Sequence, residues 1–266
     1  MSRAGSYDPA RTTAGGLAGE IGRLEAQAEF SFAEELRILR ESGIGESGTL
    51  LELGAGSGAV TRRLGAAMPA ARILALDIDE TLLRYACAAD AALVVGDAAR
   101  LPLPDNCVDA VVLRYVLQHI ADPGPVLAEA GRVLRPAGQV AVIEVDGACW
   151  GLADPLYPEL AGVHAKVAAA QRAAGGDRSI GRRLTRLLRD AGFDRVALRL
   201  FGTTSDDRPM EAFAPHLGPQ RLEPLLATGQ LSFAEVALAA DRWMRFRQDP
   251  DAWVLLVGFV AVGTAT

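Results

Sequence analysis

Residues 50–64 read LLELGAGSGAVTRRL: an apolar run of strand character, then glycines at 54, 56 and 58, then a segment of helical period. Glycine enters left-handed backbone conformations without steric cost, so this spacing dictates a strand that turns sharply into a helix. The first amides of such a helix have no intrahelical partner and point at whatever lies before the turn. The feature therefore predicts an α/β chain with a ligand crevice, and the rest of the sequence has to select the ligand.

From residue 49 short β-rich runs alternate with helical segments, the pattern of a parallel sheet covered by helices. Strands are predicted at 49–53, 72–76, 92–95, 108–113 and 139–145. Asp122 is placed to cap a helix whose first turn tolerates Pro125, and RPAG at 135–138 stops it. In SIGRRLTRLLRDAGF, Leu184, Leu187, Leu188 and Ala191 share one face, and Gly192 is able to close the helix in a left-handed turn. The arginines of 178–189 then read as a solvated face, and a strand follows near 194–200. The apolar run WVLLVGFVAV at 253–262 is half of the roughly 20 residues that a membrane helix needs, so a buried strand is predicted there. The fold expected is a Rossmann-like doubly wound sheet with helical cap insertions. Stretches 147–177 and 205–250 fall outside the alternation and are read as mostly helical insertions into a core spanning 46–266. Residues 1–45 are read as a loose tail followed by a helical cap over 17–45.

Half of the 266 residues are apolar, ample for a packed core, and a net charge of -6 disfavours a nucleic-acid partner, which needs a cationic footprint. A small-molecule acceptor is the expected partner, with neither nucleic acid nor membrane, and a homodimer is left open. Cys87, Cys107 and Cys149 form no C-x-x-C pair, so no disulfide framework or zinc site is indicated and a cytoplasmic location is expected.

The glycine turn lacks the lysine of a P-loop. Gly54, Gly56 and Ala59 do satisfy G-x-G-x-x-A, and Asp77 lies about 20 residues on, so a dinucleotide stays open. Glu52 weighs against it: an anion two residues before the turn suits an ammonium better than a pyrophosphate. Asp97, in VVGDAARLPLPD after the third strand, sits where an adenine amine would be held.

With LLELGAGSG, ALDIDETLLRYA, VVGDAARLPLPDNCVDAVVLRYVLQHIADP and AEAGRVLRPAGQVAVIEVD in order, the chain resembles the class I S-adenosylmethionine-dependent methyltransferases, in particular the ubiquinone- and menaquinone-biosynthesis C-methyltransferases. The resemblance implies a seven-stranded sheet whose last strand is antiparallel, which suits residues 253–262. It implies that S-adenosyl-L-methionine is the cofactor and S-adenosyl-L-homocysteine the product. Glu52, Gly54 and Gly56 would line the methionine moiety, Asp77 would accept the ribose hydroxyls, and Ile78 would pack on adenine. Asp97 and the backbone of Ala98 would read the adenine edge, Arg114 would flank the methionine end, and Arg23 of RLEAQA would reach the cofactor carboxylate. An Asn/Asp-Pro-Pro-Tyr signature is replaced by LRYV, which again disfavours nucleic acid.

An activated methyl group chiefly requires an aligned nucleophile and exclusion of water, with a base only for an acceptor that holds its proton tightly. His119, after the fourth strand, is the candidate base, and Tyr115 the candidate aromatic face for a sulfonium. Glu144 and Asp146 are placed either to touch substrate or to serve as caps and ion pairs. His164 and His216 are too far apart for a local metal pair and read as core or solvent-facing groups, and no metal is expected. Trp150, Tyr157, Phe213, Trp243 and Phe246 would form either an aromatic roof or a core of the insertions. The reading is a methyltransferase for a small, apolar or aromatic metabolite, transferring to oxygen, carbon or nitrogen. The Ala-, Gly- and Arg-rich composition associates it with natural-product tailoring in high-GC bacteria. Two alternatives stand beside it: an NAD-dependent oxidoreductase, and a cofactor-binding protein that transfers no methyl group, such as a cyclase or a binding partner.

Overall fold

Seven strands build one sheet in the order β3-β2-β1-β4-β5-β7-β6. They are β1 (Gly48–Leu53), β2 (Ala71–Asp77), β3 (Ala92–Val95), β4 (Val108–Arg114), β5 (Leu134–Asp154), β6 (Asp194–Thr204) and β7 (Trp253–Thr264). The computed structural model describes residues 7, 15–45, 47–88 and 90–266, with 87 and 88 as backbone only, so most of the expected N-terminal tail lies outside the described residues. Strands β1 to β5 pair in parallel, while β7 inserts antiparallel between β5 and β6. The sheet reverses its winding between β1 and β4, where open α/β sheets form a crevice beyond the carboxyl ends of the strands.

Period-two alternation assigns the two faces. Leu51 and Leu53 join Val111, Leu113, Val140 and Val142 on one face, beneath α4 (Gly124–Val133) and α6 (Leu184–Asp190). Leu50 joins Ile73, Val112 and Ile143 on the other, against Ile38 and Leu39 of α1 (Gly16–Glu41) and Val60 and Leu64 of α2 (Ala59–Ala67). Helix α4 begins where Asp122 Oδ1 accepts the Gly124 amide at 3.0 Å. Helix α6 ends before Gly192 at φ +87°, with Leu184 and Leu188 fully buried. A short α3 (Glu80–Leu83) follows β2, its first amides held by Asp79.

One expectation is corrected. Residues 147–154 are not helical: β5 runs past a register shift and pairs Trp150, Leu152, Ala153 and Asp154 with β7, and only then does α5 (Pro158–Ala173) begin. Strand β7 is long enough to template this extension, a constraint that local periodicity cannot register. The later insertion is helical, with α7 (Ala214–Leu217) preceded and followed by 3-10 turns, then α8 (Glu223–Ala227) and α9 (Phe233–Gln248). It has two cores of its own. Phe213, Trp243 and Phe246 pack with Phe30, Val254 and Leu256, and Val163 of α5 packs with Leu222, Leu231 and Ala239.

Candidate active site

The crevice at the strand ends is a cavity of about 1060 Å³, beyond the ~300–1,000 Å³ usual for one drug-sized ligand. One wall is the glycine turn. Gly54, Gly56 and Gly58 hold φ of +74°, +54° and +75°, and a Cβ on Gly54 would stand 2.3 Å from Val116 Cγ2. The amides of Gly54 and Ala55 bond to Leu76 O at 2.8 and 3.0 Å, and that of Gly56 donates to Asp77 Oδ2 at 2.7 Å. The turn is thus tied to the end of β2, and Asp77 is fixed by a second bond, from the Asp79 amide at 2.8 Å to Oδ1. Burial raises the Asp77 pKa, against the pull of these amides.

Glu52 lies on the face packed by α1 and α2, only 2% exposed, and accepts from Thr61 Oγ1 at 2.6 Å. Loss of water pushes its pKa up to about 7, with the Thr61 bond and the Arg114 charge opposing. Beyond β2 the large aliphatic side chain of Ile78 is 54% exposed at the cavity wall, an unused apolar surface. Asp97 is exposed after β3, its Oδ1 accepting the Ala99 amide at 2.9 Å, with Ala98 beside it in the same wall.

The opposite wall comes from β4, α1 and the helical insertions. Arg114 is held rather than free: Nε and Nη2 reach Glu35 at 2.6 and 3.0 Å, and Nη2 also reaches Ser31 Oγ at 3.1 Å and Gln27 O at 3.0 Å. Its guanidinium carbon stands 4.4 Å from the centroid of the Tyr115 ring, a cation over an aromatic face. Tyr115 has φ +57°, a strained backbone for a bulky residue, and burial raises its hydroxyl pKa. Arg23 is bidentate to Glu20 at 2.8 and 2.6 Å, and Tyr7 donates to the same carboxylate at 2.6 Å. His119 packs against the Tyr7 ring with centroids 5.2 Å apart, and its Nδ1 lies 3.4 Å from Gln171 Nε2. Burial, then the charges of Arg178, Arg23 and Arg221, push its pKa down to about 3, so the imidazole is neutral at neutral pH.

All eleven residues singled out from sequence, Arg23, Glu52, Gly54, Gly56, Asp77, Ile78, Asp97, Ala98, Arg114, Tyr115 and His119, line this one cavity. Others go elsewhere. Glu144 is fully buried and its Oε1 accepts the Gln118 amide at 3.2 Å, holding the loop that carries His119. Asp146 pairs with Arg182, Nη2 to Oδ1 at 2.6 Å. His216 is buried against Phe30 and Trp150 at 4.4 and 5.8 Å between centroids, and Trp150 alone of the five candidate roof aromatics reaches the cavity. The reading of 178–189 as a solvated face fails at its first residue, because Arg178 lies in the cavity wall. Sequence reading also missed Gln171, Arg221 and Tyr7, each brought to the site by a distant segment with no local signature.

A strand order that reverses at β1/β4, with a glycine turn and acids at the ends of three neighbouring strands, defines a Rossmann-like protein that binds a nucleoside. Residues 51–142 match the methyltransferase domain family. A ubiquinone/menaquinone biosynthesis C-methyltransferase of Acidiphilium cryptum is 35% identical over 170 residues, which are 57% of this chain and 68% of that one. A 37.1 kDa protein from a transposon of Streptomyces fradiae is 33% identical over 223 residues, 81% of this chain and 62% of that protein, so this chain spans less than two thirds of it. In fold, an S-adenosylmethionine-dependent methyltransferase from Aquifex aeolicus superposes with a TM-score of 0.57 at 17% identity, covering 98% of this chain and 100% of the other. The chain belongs to the class I S-adenosylmethionine-dependent methyltransferases, which decides between that cofactor and the dinucleotide that G-x-G-x-x-A had left open.

Proposed function

We propose that the protein transfers the methyl group of S-adenosylmethionine to a small-molecule acceptor held beside His119 and Tyr115. The observation that carries this reading is the convergence of Glu52, Asp77 and Asp97, from three strand ends, on one cavity with room for a second ligand. The residues fit the cofactor: a bare turn that admits close approach, an exposed Ile78 for a flat base, and carboxylates for hydroxyl, amine and ammonium donors. Asp77 would hold the ribose, Asp97 and the Ala98 amide the adenine edge, Ile78 its face, Glu52 the ammonium, and Arg23 the carboxylate. When bound, the cofactor supplies a methyl group already activated by a sulfonium.

This chain's own task is to align the acceptor and keep water out, for which orientation contributes on the order of 7–11 kcal/mol at best. Held on the loop at 116–119, which Glu144 fixes, His119 would face the acceptor as a neutral imidazole that orients it by hydrogen bonding, since burial pushes its pKa down to about 3 and makes it a weak proton acceptor. Tyr115 and Trp150 would close that side with aromatic surface. A cytoplasmic setting and a role in tailoring a secondary metabolite go with this reading, and no helix among the described residues is long and apolar enough to cross a membrane.

The test is cofactor binding. S-adenosylhomocysteine should raise the melting temperature and NAD should not. Asp77→Ala should weaken S-adenosylhomocysteine by more than about tenfold, the scale of one lost hydrogen bond to a charged group. An unchanged affinity would overturn the ribose assignment. Label from methyl-labelled cofactor that never reaches any acceptor, despite tight binding, would point to the non-transferring alternative.

A further inference from the structure

The cavity is polarised. Glu52, Asp77 and Asp97 occupy its cofactor wall, whereas Arg23, Arg178 and Arg221 stand in the other. Arg23 is neutralised by Glu20. The other two are not: among the described residues no carboxylate comes within ion-pair distance of Arg178 or Arg221. Their visible partners are neutral, Gln171 Oε1 at 3.4 Å for Arg178 Nη1 and His216 O at 3.0 Å for Arg221 Nη1. Glu223 shares the wall without pairing with either guanidinium, and Glu144, the acid whose ionised form would favour a protonated Arg178, keeps its proton up to about pH 8 and is spent on the backbone of the 116–119 loop.

Two guanidiniums facing each other's field in a partly dry cavity are expensive unless an anion completes them. Arg221 shows the strain, pushed down to about 9 by burial and then by Arg178 and Arg23, with the Glu20 charge, already paired to Arg23, opposing only in part. Around them the wall is apolar, with Val167 and Ala170 of α5 and Pro224 and Leu225 of α8. Both arginines come from segments that the cofactor turn does not touch, so their charge is surplus to a cofactor whose single carboxylate is assigned to Arg23.

We propose that Arg178 and Arg221 form an oxyanion-binding subsite for the acceptor, so that the methylated metabolite has an apolar body and a carboxylate or phosphate group. The planar forks of two arginines suit either anion, and come from two different segments, the turn after α5 and the 205–250 insertion. This inference rests on the methyltransferase reading for the word acceptor, but the anion site itself does not depend on methyl transfer.

The experiment titrates the full chain, saturated with S-adenosylhomocysteine, with benzoate and phenyl phosphate against the neutral isosteres benzamide and phenol, by calorimetry. Anions should bind at least about tenfold tighter than their neutral counterparts, and Arg178→Gln or Arg221→Gln should remove about tenfold or more of that affinity. The tighter of the two anions identifies carboxylate or phosphate. S-adenosylhomocysteine affinity within about twofold of wild type shows that each variant is folded and that its arginine does not serve the cofactor. Equal binding of anions and neutral isosteres would overturn the proposal, as would a loss of cofactor affinity that parallels the loss of anion affinity. If the wild-type chain fails to bind S-adenosylhomocysteine, the methyltransferase reading falls, and the same titration of the ligand-free protein still decides the arginine pair.

Discussion

Glu52 is the residue whose chemistry is most exposed to test. A buried carboxyl with a pKa near 7 is about half protonated at neutral pH, whereas an ammonium ligand demands the carboxylate. Binding therefore releases a proton, and S-adenosylhomocysteine should bind more weakly by up to about tenfold for each pH unit below about 7. Glu52→Gln should bind more weakly at neutral pH and lose this dependence, as read by calorimetry between about pH 5.5 and 8. A wild-type affinity flat across that range would remove Glu52 from the ammonium. Residues such as Glu52, Asp77 and Asp97 were legible in sequence because each sits at or within two positions of a strand end, where topology fixes the direction of the chain. Arg178 and Arg221 were not. Their meaning arises only when two segments, whose arginines lie 43 positions apart, are folded over one crevice, and a lone arginine in an amphipathic stretch looks the same whether it faces water or a cavity.

At the scale of elements, α1 is joined to the sheet through one polar clasp. Arg114 at the end of β4 and Glu35 of α1 are 6% and 1% exposed, and four hydrogen bonds from the guanidinium end on that helix. The same helix brings Arg23, Leu24 and Gln27 to the cavity wall. Arg114→Met strands a buried carboxylate and should cost about 3–5 kcal/mol, roughly 6–20 °C in melting temperature. Arg114→Met with Glu35→Leu should recover more than half of that loss, since a well-packed apolar pair replaces a buried ion pair at little cost. Calorimetric melting of the three proteins decides it, and a single variant that melts with wild type would show that the clasp carries no stability. The helix itself was read over 17–45 and runs over Gly16–Glu41, and α4 and α6 were legible from their caps and stops. The extension of β5 through 154 was not, because residues 147–154 take their conformation from β7, which lies about 100 positions later and supplies the hydrogen bonds.

For the whole molecule, the buried ionisable groups set an optimum of stability. Glu52 and Glu144 keep their protons up to about 7 and about 8, against an ordinary 4.5. Their folded pKa values are raised, so their contribution is complete below about pH 4.5 and is lost as pH rises through 7 to 8. His119, His164 and His216 run the other way, down to about 3, 4 and 3 from 6.5, each chiefly through burial. The unfolded chain binds their protons between those values and 6.5, so stability climbs with pH over that window. These three histidines against the two glutamates give a net rise toward pH 6.5, which Asp77, also raised by burial from 3.8, offsets in part at its acid end; above 6.5 the acids prevail, so the ligand-free protein should melt highest near pH 6.5 and lower by pH 8.5. Exposed carboxylates held low by partners, such as Glu235 at about 2 beside Lys166, titrate below the window and leave its sign unchanged. Glu144→Gln keeps an acceptor for the Gln118 amide and deletes one of the two opposing titrations, so its decline between pH 6.5 and 8.5 should be shallower than that of wild type. Scanning calorimetry across that range measures both curves, and a wild-type melting temperature that still rises at pH 8.5 would mean that neither carboxyl retains its proton in the folded chain.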